Sequence, residues 1–199
     1  MSFIKRRLLA IITPLILLSG CAGTNFVKQD LSTLNLGTTT EAEIQKRMGT
    51  PNRKGEILKN NEMVQSSTYA YATVGGQPQH FGVVPARSQA FFFHKGILIG
   101  SNFSSSFKVD GTDFSSNKVT GIEKGKTTKT EVKALLGEPG GTYIAPLTVS
   151  PAEQAFVYQY TQVKSGFLKP IIYSQLLVVS FDPQDVVCNV EYSTSGSRE

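Results

Sequence analysis

The sequence predicts an α+β fold class, built as a tandem repeat in which each unit is a short helix followed by a three-stranded antiparallel meander. Three observations predict it. The phrase LGTTTEAEIQKRMGTP at 36–51 returns as KGKTTKTEVKALLGEP at 124–139, every number raised by 88 and no gap opened. Both copies carry helix punctuation at either end. Each copy is then followed by three runs rich in aromatic and β-branched residues, 66–74, 88–95 and 97–105 in one, 154–163, 171–181 and 185–193 in the other.

The chain opens with Lys5, Arg6 and Arg7 ahead of an apolar run from Leu8 to Leu18. That run is shorter than the roughly 20 residues of a membrane-spanning helix, so residues 1–20 read as a secretory signal peptide. The sequence LSGC, Leu18 to Cys21, resembles the lipobox of bacterial lipoproteins. The resemblance implies cleavage before Cys21, a covalent diacylglycerol and an N-acyl chain on that cysteine, and a lipidated tether over 21–30. Each buried CH₂ adds about 0.8 kcal/mol to such an anchor. Ala22 rather than aspartate follows the cysteine, which implies the outer membrane of a Gram-negative cell, with the protein facing the periplasm.

In each repeat a threonine opens the helix. Thr40 with Glu43, and Thr128 with Glu131, have the spacing of a capping box, in which hydroxyl and carboxylate satisfy each other's backbone amides. Gly49 and Gly137 suit the left-handed residue that closes a helix, and Pro51 and Pro139 stop its continuation. Ile44 and Met48 in one copy, and Val132, Leu135 and Leu136 in the other, share a face at spacings of three and four. Helices of about nine residues are marginal alone in water, so these faces require something to press on. Shorter apolar patterns, Leu31, Leu34 and Leu36 and again Val119 and Ile122, predict a further short helix before each repeated glycine.

The meanders follow. His94-Lys95-Gly96 and Asp182-Pro183-Gln184-Asp185 read as hairpin turns between the second and third predicted strands of each copy. The first unit thus spans 31–105, a linker 106–117, the second unit 118–193, and a tail 194–199. Whether the linker leaves two units free or joins halves of one sheet is open at this level. The alternating tyrosines of YAYA and VYQY suit either an exposed sheet face or cross-strand packing. Cys188 alternates within a strand pattern and, with Cys21 acylated, reads as a free, buried thiol.

Charge and motif exclude several functions. Loss of Lys5, Arg6 and Arg7 brings the twenty basic residues within two of the fifteen acidic ones, and no basic stripe remains to bind nucleic acid. The GKTT at 125–128 lacks the first glycine of a phosphate loop, since Thr120 stands where it belongs, so no nucleotide is expected. His80 and His94 are the only histidines, without a metal-ligand spacing, and no nucleophile motif accompanies them. No catalytic residue, metal or non-covalent cofactor is therefore predicted.

With the motif G-x-T-T-x-x-E-[IV]-x-x-x-[ML]-G-x-P twice over, strands after each copy and a lipoprotein signal in front, the chain resembles the SmpA/OmlA (BamE-like) lipoprotein domain. It also resembles the tandem fold of β-lactamase inhibitory protein. These resemblances imply helices packed on one face of the sheet and no catalytic machinery. The first implies an accessory role in outer-membrane β-barrel assembly; the second implies two repeats forming a concave sheet that grips a protein. The chain departs from the first in having two repeats and from the second in lacking its disulfides.

Function then falls to surface. The connections 75–87 and 164–170 display Phe81, Val83, Val84, Arg87, Phe167 and Leu168 among glycine and proline, as partner contacts or as lids folded over the core. The expectation is a non-catalytic outer-membrane lipoprotein, held to the membrane by its lipid, that scaffolds a protein partner in β-barrel assembly or secretion. The alternatives are an inhibitor of a periplasmic enzyme and a carrier of an apolar ligand.

Overall fold

The computed structural model describes residues 23–149 and 153–198, so the signal segment and Cys21 lie outside the described residues. Eight strands pair in sequence order into one antiparallel sheet. They are β1 (Arg53–Lys59), β2 (Glu62–Ala72), β3 (Ala86–His94), β4 (Ile97–Ser105), β5 (Gly141–Ile144), β6 (Gln154–Lys164), β7 (Ile171–Phe181) and β8 (Val187–Gly196). Three short α-helices accompany them: α1 (Glu41–Met48), α2 (Ser116–Val119) and α3 (Lys129–Leu136).

This overturns the α+β expectation. The fold is mainly β, an eight-stranded half-barrel, because two-turn helices are too short to form a layer. Ile44 is the one buried residue of α1 and Val132 that of α3. Each half also has four strands in place of the predicted three. The two that were missed are β1, whose charged sequence RKGEILK faces mostly outward, and the four-residue β5. Where further helices were predicted before each glycine, a 3-10 turn occupies Leu31–Thr33 and the single turn α2 ends at Val119.

The repeated motif folds twice in the same way. Thr40 and Thr128 accept the amides of Glu43 and Glu131 at 3.2 and 3.3 Å, and both glutamates receive the cap amide at 2.7 Å. Those backbone bonds hold both carboxyls below the ordinary glutamate range. Gly49 and Gly137 close the helices at φ 76° and 85°. Ahead of each helix the chain hangs on the last strand of its own half. Gly37 N donates to Leu98 O and Gly125 N to Val187 O, while Leu98 N and Val187 N return bonds to Thr39 O and Thr127 O. The Gly125 amide of GKTT is thus spent on the sheet. Tyr69 and Tyr158 each donate a hydroxyl to the carbonyl of the closing glycine, Gly49 or Gly137, at 2.9 Å. Even the bulges recur, at Ile99 and at Cys188.

Between the halves, β4 pairs with β5 and β5 with β6. Beyond the end of short β5, side chains close the seam: Asn102 bonds Gln159, Ser104 Oγ accepts the Thr161 amide, and Thr112 Oγ1 donates to Gln159 O. One face of the sheet is covered. On it Ile44 packs with Tyr69, Phe91, Phe93 and Leu98, and Val132 with Phe156, Tyr158, Leu177, Val179 and Phe181. The N-terminal segment crosses this face, with Phe26 against the first cluster and Gln29 bonded to Gln89. The segment after β4 crosses it too, with Phe114 in the second cluster and Asp113 bonded to Gln175.

Candidate functional site

The other face is open. Along β3 and β7 the residues that point toward the helices are buried, while their neighbours Ser88, Ala90, Ser174, Leu176 and Val178 are only half-buried. Strand pairing aligns these with Thr68, Ala70, Asn102, Ser104, Gln159 and Thr161. Asn102 and Ser104 on central β4 are nevertheless buried, so the floor is deepest at the middle, as the curvature of a half-barrel requires. The result is a trough lined mostly by small and polar side chains, with Leu176 and Val178 on its β7 side. One end is closed by the loop after β5, where Leu147 packs on Val64 and Ile99 and Asn60 Nδ2 donates to Pro146 O and Thr148 O at 2.9 and 2.7 Å. At the other end a groove of about 360 Å³ opens between Ala70, Ser88, Ser104 and Val163. The tyrosines of YAYA and VYQY do not line this face. Tyr69, Tyr158 and Tyr160 are buried on the covered side, and it is the alanines between Tyr69 and its neighbours that look into the trough.

The loops singled out from sequence lie together past the groove. Val83 forms a β-bridge with Lys164, and Val84 N donates to Val163 O at 2.8 Å. The loop after β4 joins them through Gln79 N to Ser106 O and Lys108 N to Gln77 O, at 2.7 and 2.9 Å. Of the predicted contact residues, Val83 is 4% exposed and serves as a lid residue, and Val84 is half-buried. Arg87 is committed, its guanidinium at 3.1 Å from Asp110 and stacked 4.7 Å over Phe107. Phe81, Phe167 and Leu168 project fully into solvent. Sequence reading passed over Val74 and Val109, which project beside them; an isolated valine in a Gly- and Ser-rich stretch was the available signal.

Beneath these loops Asp113, whose side chain is 9% exposed, accepts from His80 Nε2 at 2.7 Å, from Gln175 at 2.9 Å and from Arg198. His80 is therefore tied to Asp113 although 41% of its side chain stays exposed. The nearby Tyr160 hydroxyl is pushed up to about 12, chiefly by burial, and stays protonated. His94 lies at the end of β3, 3.7 Å from Glu62. Among the described residues no group of three or more His, Cys, Asp and Glu side chains is placed to hold a metal ion. None of the described helices is long and apolar enough to cross a membrane. Cys188 is in no disulfide and is half-buried rather than buried; desolvation, reinforced by Glu153 at 3.0 Å, raises its thiol to about 11.

A wider cleft of about 1310 Å³ separates the N-terminal segment from α3 on the covered face. Of its three lysines, Lys129 bonds Gln154 and Asp185, Lys133 pairs with Glu138, and Lys28 lies 4.8 Å over the Phe103 ring.

No protein-family model matches the chain, and no curated protein sequence does. Among solved structures it is similar to a candidate β-lactamase inhibitor protein from Streptococcus mutans, at 12% identity over 78% of this chain and 82% of that one, with a TM-score of 0.38. Likeness at that level carries nothing of the other protein's activity to this chain.

Proposed function

We propose that the chain is a non-catalytic lipoprotein of the outer membrane, anchored through Cys21 and facing the periplasm. In this reading it holds a partner protein of an envelope assembly, such as the β-barrel or secretion machinery, against the open face of its sheet. One observation carries the proposal. The two eight-residue helices, the N-terminal segment and the segment after β4 cover one face, leaving a broad curved trough on the other. A sheet that needed only to be stable would gain by covering both faces. Small side chains over a curved floor admit another protein's side chains closely, and contiguous concave surface is where partners find complementarity.

A photo-crosslinking residue placed at Thr68 or at Ser193, both on the trough side, should capture the same protein in intact envelopes. One placed at Lys46, on the outside of α1, should not. Capture from neither trough position, or equal capture from all three, would refute the reading. If the captured protein is a periplasmic hydrolase that the purified chain inhibits at equal concentration, the binding surface stands and the scaffold role gives way to inhibition.

A further inference from the structure

The five most exposed large hydrophobic side chains among the described residues are Val74, Phe81, Val109, Phe167 and Leu168, at 85 to 101% exposure. All five lie at one end of the sheet, on the loops β2–β3 and β6–β7 and the turn after β4. Those loops are tied to one another by Val84 to Val163, Gln79 to Ser106 and Lys108 to Gln77, so they form one platform and not three loose tails.

The described chain also begins at this end. Gly23 lies against Ala70, close enough that a Cβ on it would strike the Ala70 carbonyl, and Ala70 is two residues from the end of β2. Cys21 is two peptide steps before Gly23, a reach of at most about 7 Å. An acyl chain on Cys21 therefore enters the bilayer beside the platform.

We propose that this end of the sheet rests on the membrane, with Val74, Phe81, Val109, Phe167 and Leu168 immersed in the lipid interface and the open trough standing upright above it. The proposal rests on the lipoprotein reading of Cys21. Charge agrees with it: Lys108 and Lys169 are exposed among the apolar tips, whereas Asp110 is bonded to Arg87 and Ser105, and Asp113 lies under His80, Gln175 and Arg198. Exposed cations beside apolar side chains suit phospholipid headgroups over acyl tails. A protein partner would instead seat its anchors in pockets, and these tips protrude with nothing around them. The opposite end is different, since Ile57, Leu58 and Met63 are less exposed and sit on a hairpin between Glu56, Lys59 and Glu62.

The chain contains no tryptophan, so a single substitution supplies a unique fluorophore. F81W, F167W and L58W are prepared as full acylated chains and reconstituted into phosphatidylcholine vesicles, with and without cardiolipin, containing lipids brominated on their acyl tails. Emission from positions 81 and 167 should shift to the blue and lose most of its intensity to the bromines, while position 58 keeps its emission; cardiolipin should deepen the loss through the lysines. Acyl-labelled protein whose 81 and 167 indoles stay in water overturns the docking and leaves the anchor standing. Protein that takes up no palmitate overturns the anchor and the docking with it. Equal quenching at 81, 167 and 58 overturns the upright orientation. A crosslinker at Phe81 that captures a protein in place of lipid in intact envelopes assigns the platform to a partner, against the proposal.

Discussion

Tyr69 and Tyr158 offer a test of both the internal repeat and the single sheet. Each hydroxyl spans from its strand to the carbonyl that ends a helix, at 2.9 Å in both halves. Tyr→Phe removes that donor and nothing else, leaving a helix-terminal carbonyl short of a partner in a partly enclosed place. A neutral bond of this kind contributes about 1 kcal/mol net. For a chain of this size, that is a fall in Tm of about 2 to 4 °C. Both tyrosines are 4% exposed and their bonds are equally long, so Y69F and Y158F should cost about the same. Because β4–β5–β6 joins the halves into one sheet, both variants should lower the same cooperative transition, and the double variant should lose about 2 kcal/mol, the sum of two distant sites. Calorimetry beside far-UV circular dichroism measures this. Two separate transitions, each moved by only one of the substitutions, would refute the single-sheet argument. A Y69F protein as stable as its parent would refute the role assigned to the bond.

V132A should cost about 2 kcal/mol in urea unfolding, since two methyl groups leave a site with no exposure, and L135A, only partly buried against the same cluster, should cost less. Glu43 and Glu131 are held below their usual 4.5 by the cap amides. The unfolded chain therefore takes up their protons first, so the stability they contribute is complete above pH 4.5 and is lost as pH falls through the folded values. Tm followed from about pH 6 to about pH 3 should drop less steeply in an E43Q/E131Q variant. The Cys188 thiol, raised to about 11 from 9.0, carries about a hundredfold less thiolate at neutral pH than an ordinary cysteine. Its alkylation by iodoacetamide should be slower by a similar factor in the folded protein than in denaturant, and equal rates would contradict the burial described for it.

The local grammar of this fold was legible because it is carried by residues close in sequence. Thr40 with Glu43 and Thr128 with Glu131 announce the helix starts, the two glycines announce the ends, and six of the eight strands follow from their aromatic and β-branched runs. β1 escaped because an edge strand with little buried surface has no apolar face to display; Asn60-Asn61, both at positive φ, was the turn signal that marked it. The fold class was misjudged for a related reason. Helix punctuation is conspicuous even when the helix it delimits contributes a single buried side chain. The orientation of β2 and β6 stayed open in the sequence because alternation states that two faces differ and not which one is covered. That was decided by Phe26 and Phe114, which lie on segments without a strand or helix pattern. The Asp113 cluster depended on partners 33 to 85 residues away, and no spacing rule reaches that far. Of the candidate surface, Phe81, Phe167 and Leu168 could be chosen from aromatics and leucine among glycine and proline, but the open trough is made largely of serine, alanine, threonine and amide side chains, whose placement has no local signature.

Duplication itself explains why one face can be left bare. A four-stranded half alone would expose two edges, each a row of unpaired amides and carbonyls open to pairing with another chain. Joining β4 to β5 removes one edge from each half and leaves only β1 and β8 at the margins. Those margins are guarded by chemistry: β1 displays Arg53, Lys54, Glu56 and Leu58 to solvent, and β8 ends in an exposed run of serine, threonine and glycine. With its edges reduced and its covered face sealed by two helices and two crossing segments, the sheet does not need a second layer to stay folded. The open face is then available to a partner. Cutting the seam should therefore damage more than stability. A variant such as G141V, whose first side-chain carbon would already strike the Ser101 carbonyl, should break the β4–β5 pairing, lower Tm and abolish capture from Thr68 and Ser193 together. Capture that survives loss of the seam would show that a single half suffices to hold the partner, and that the trough is not the binding surface.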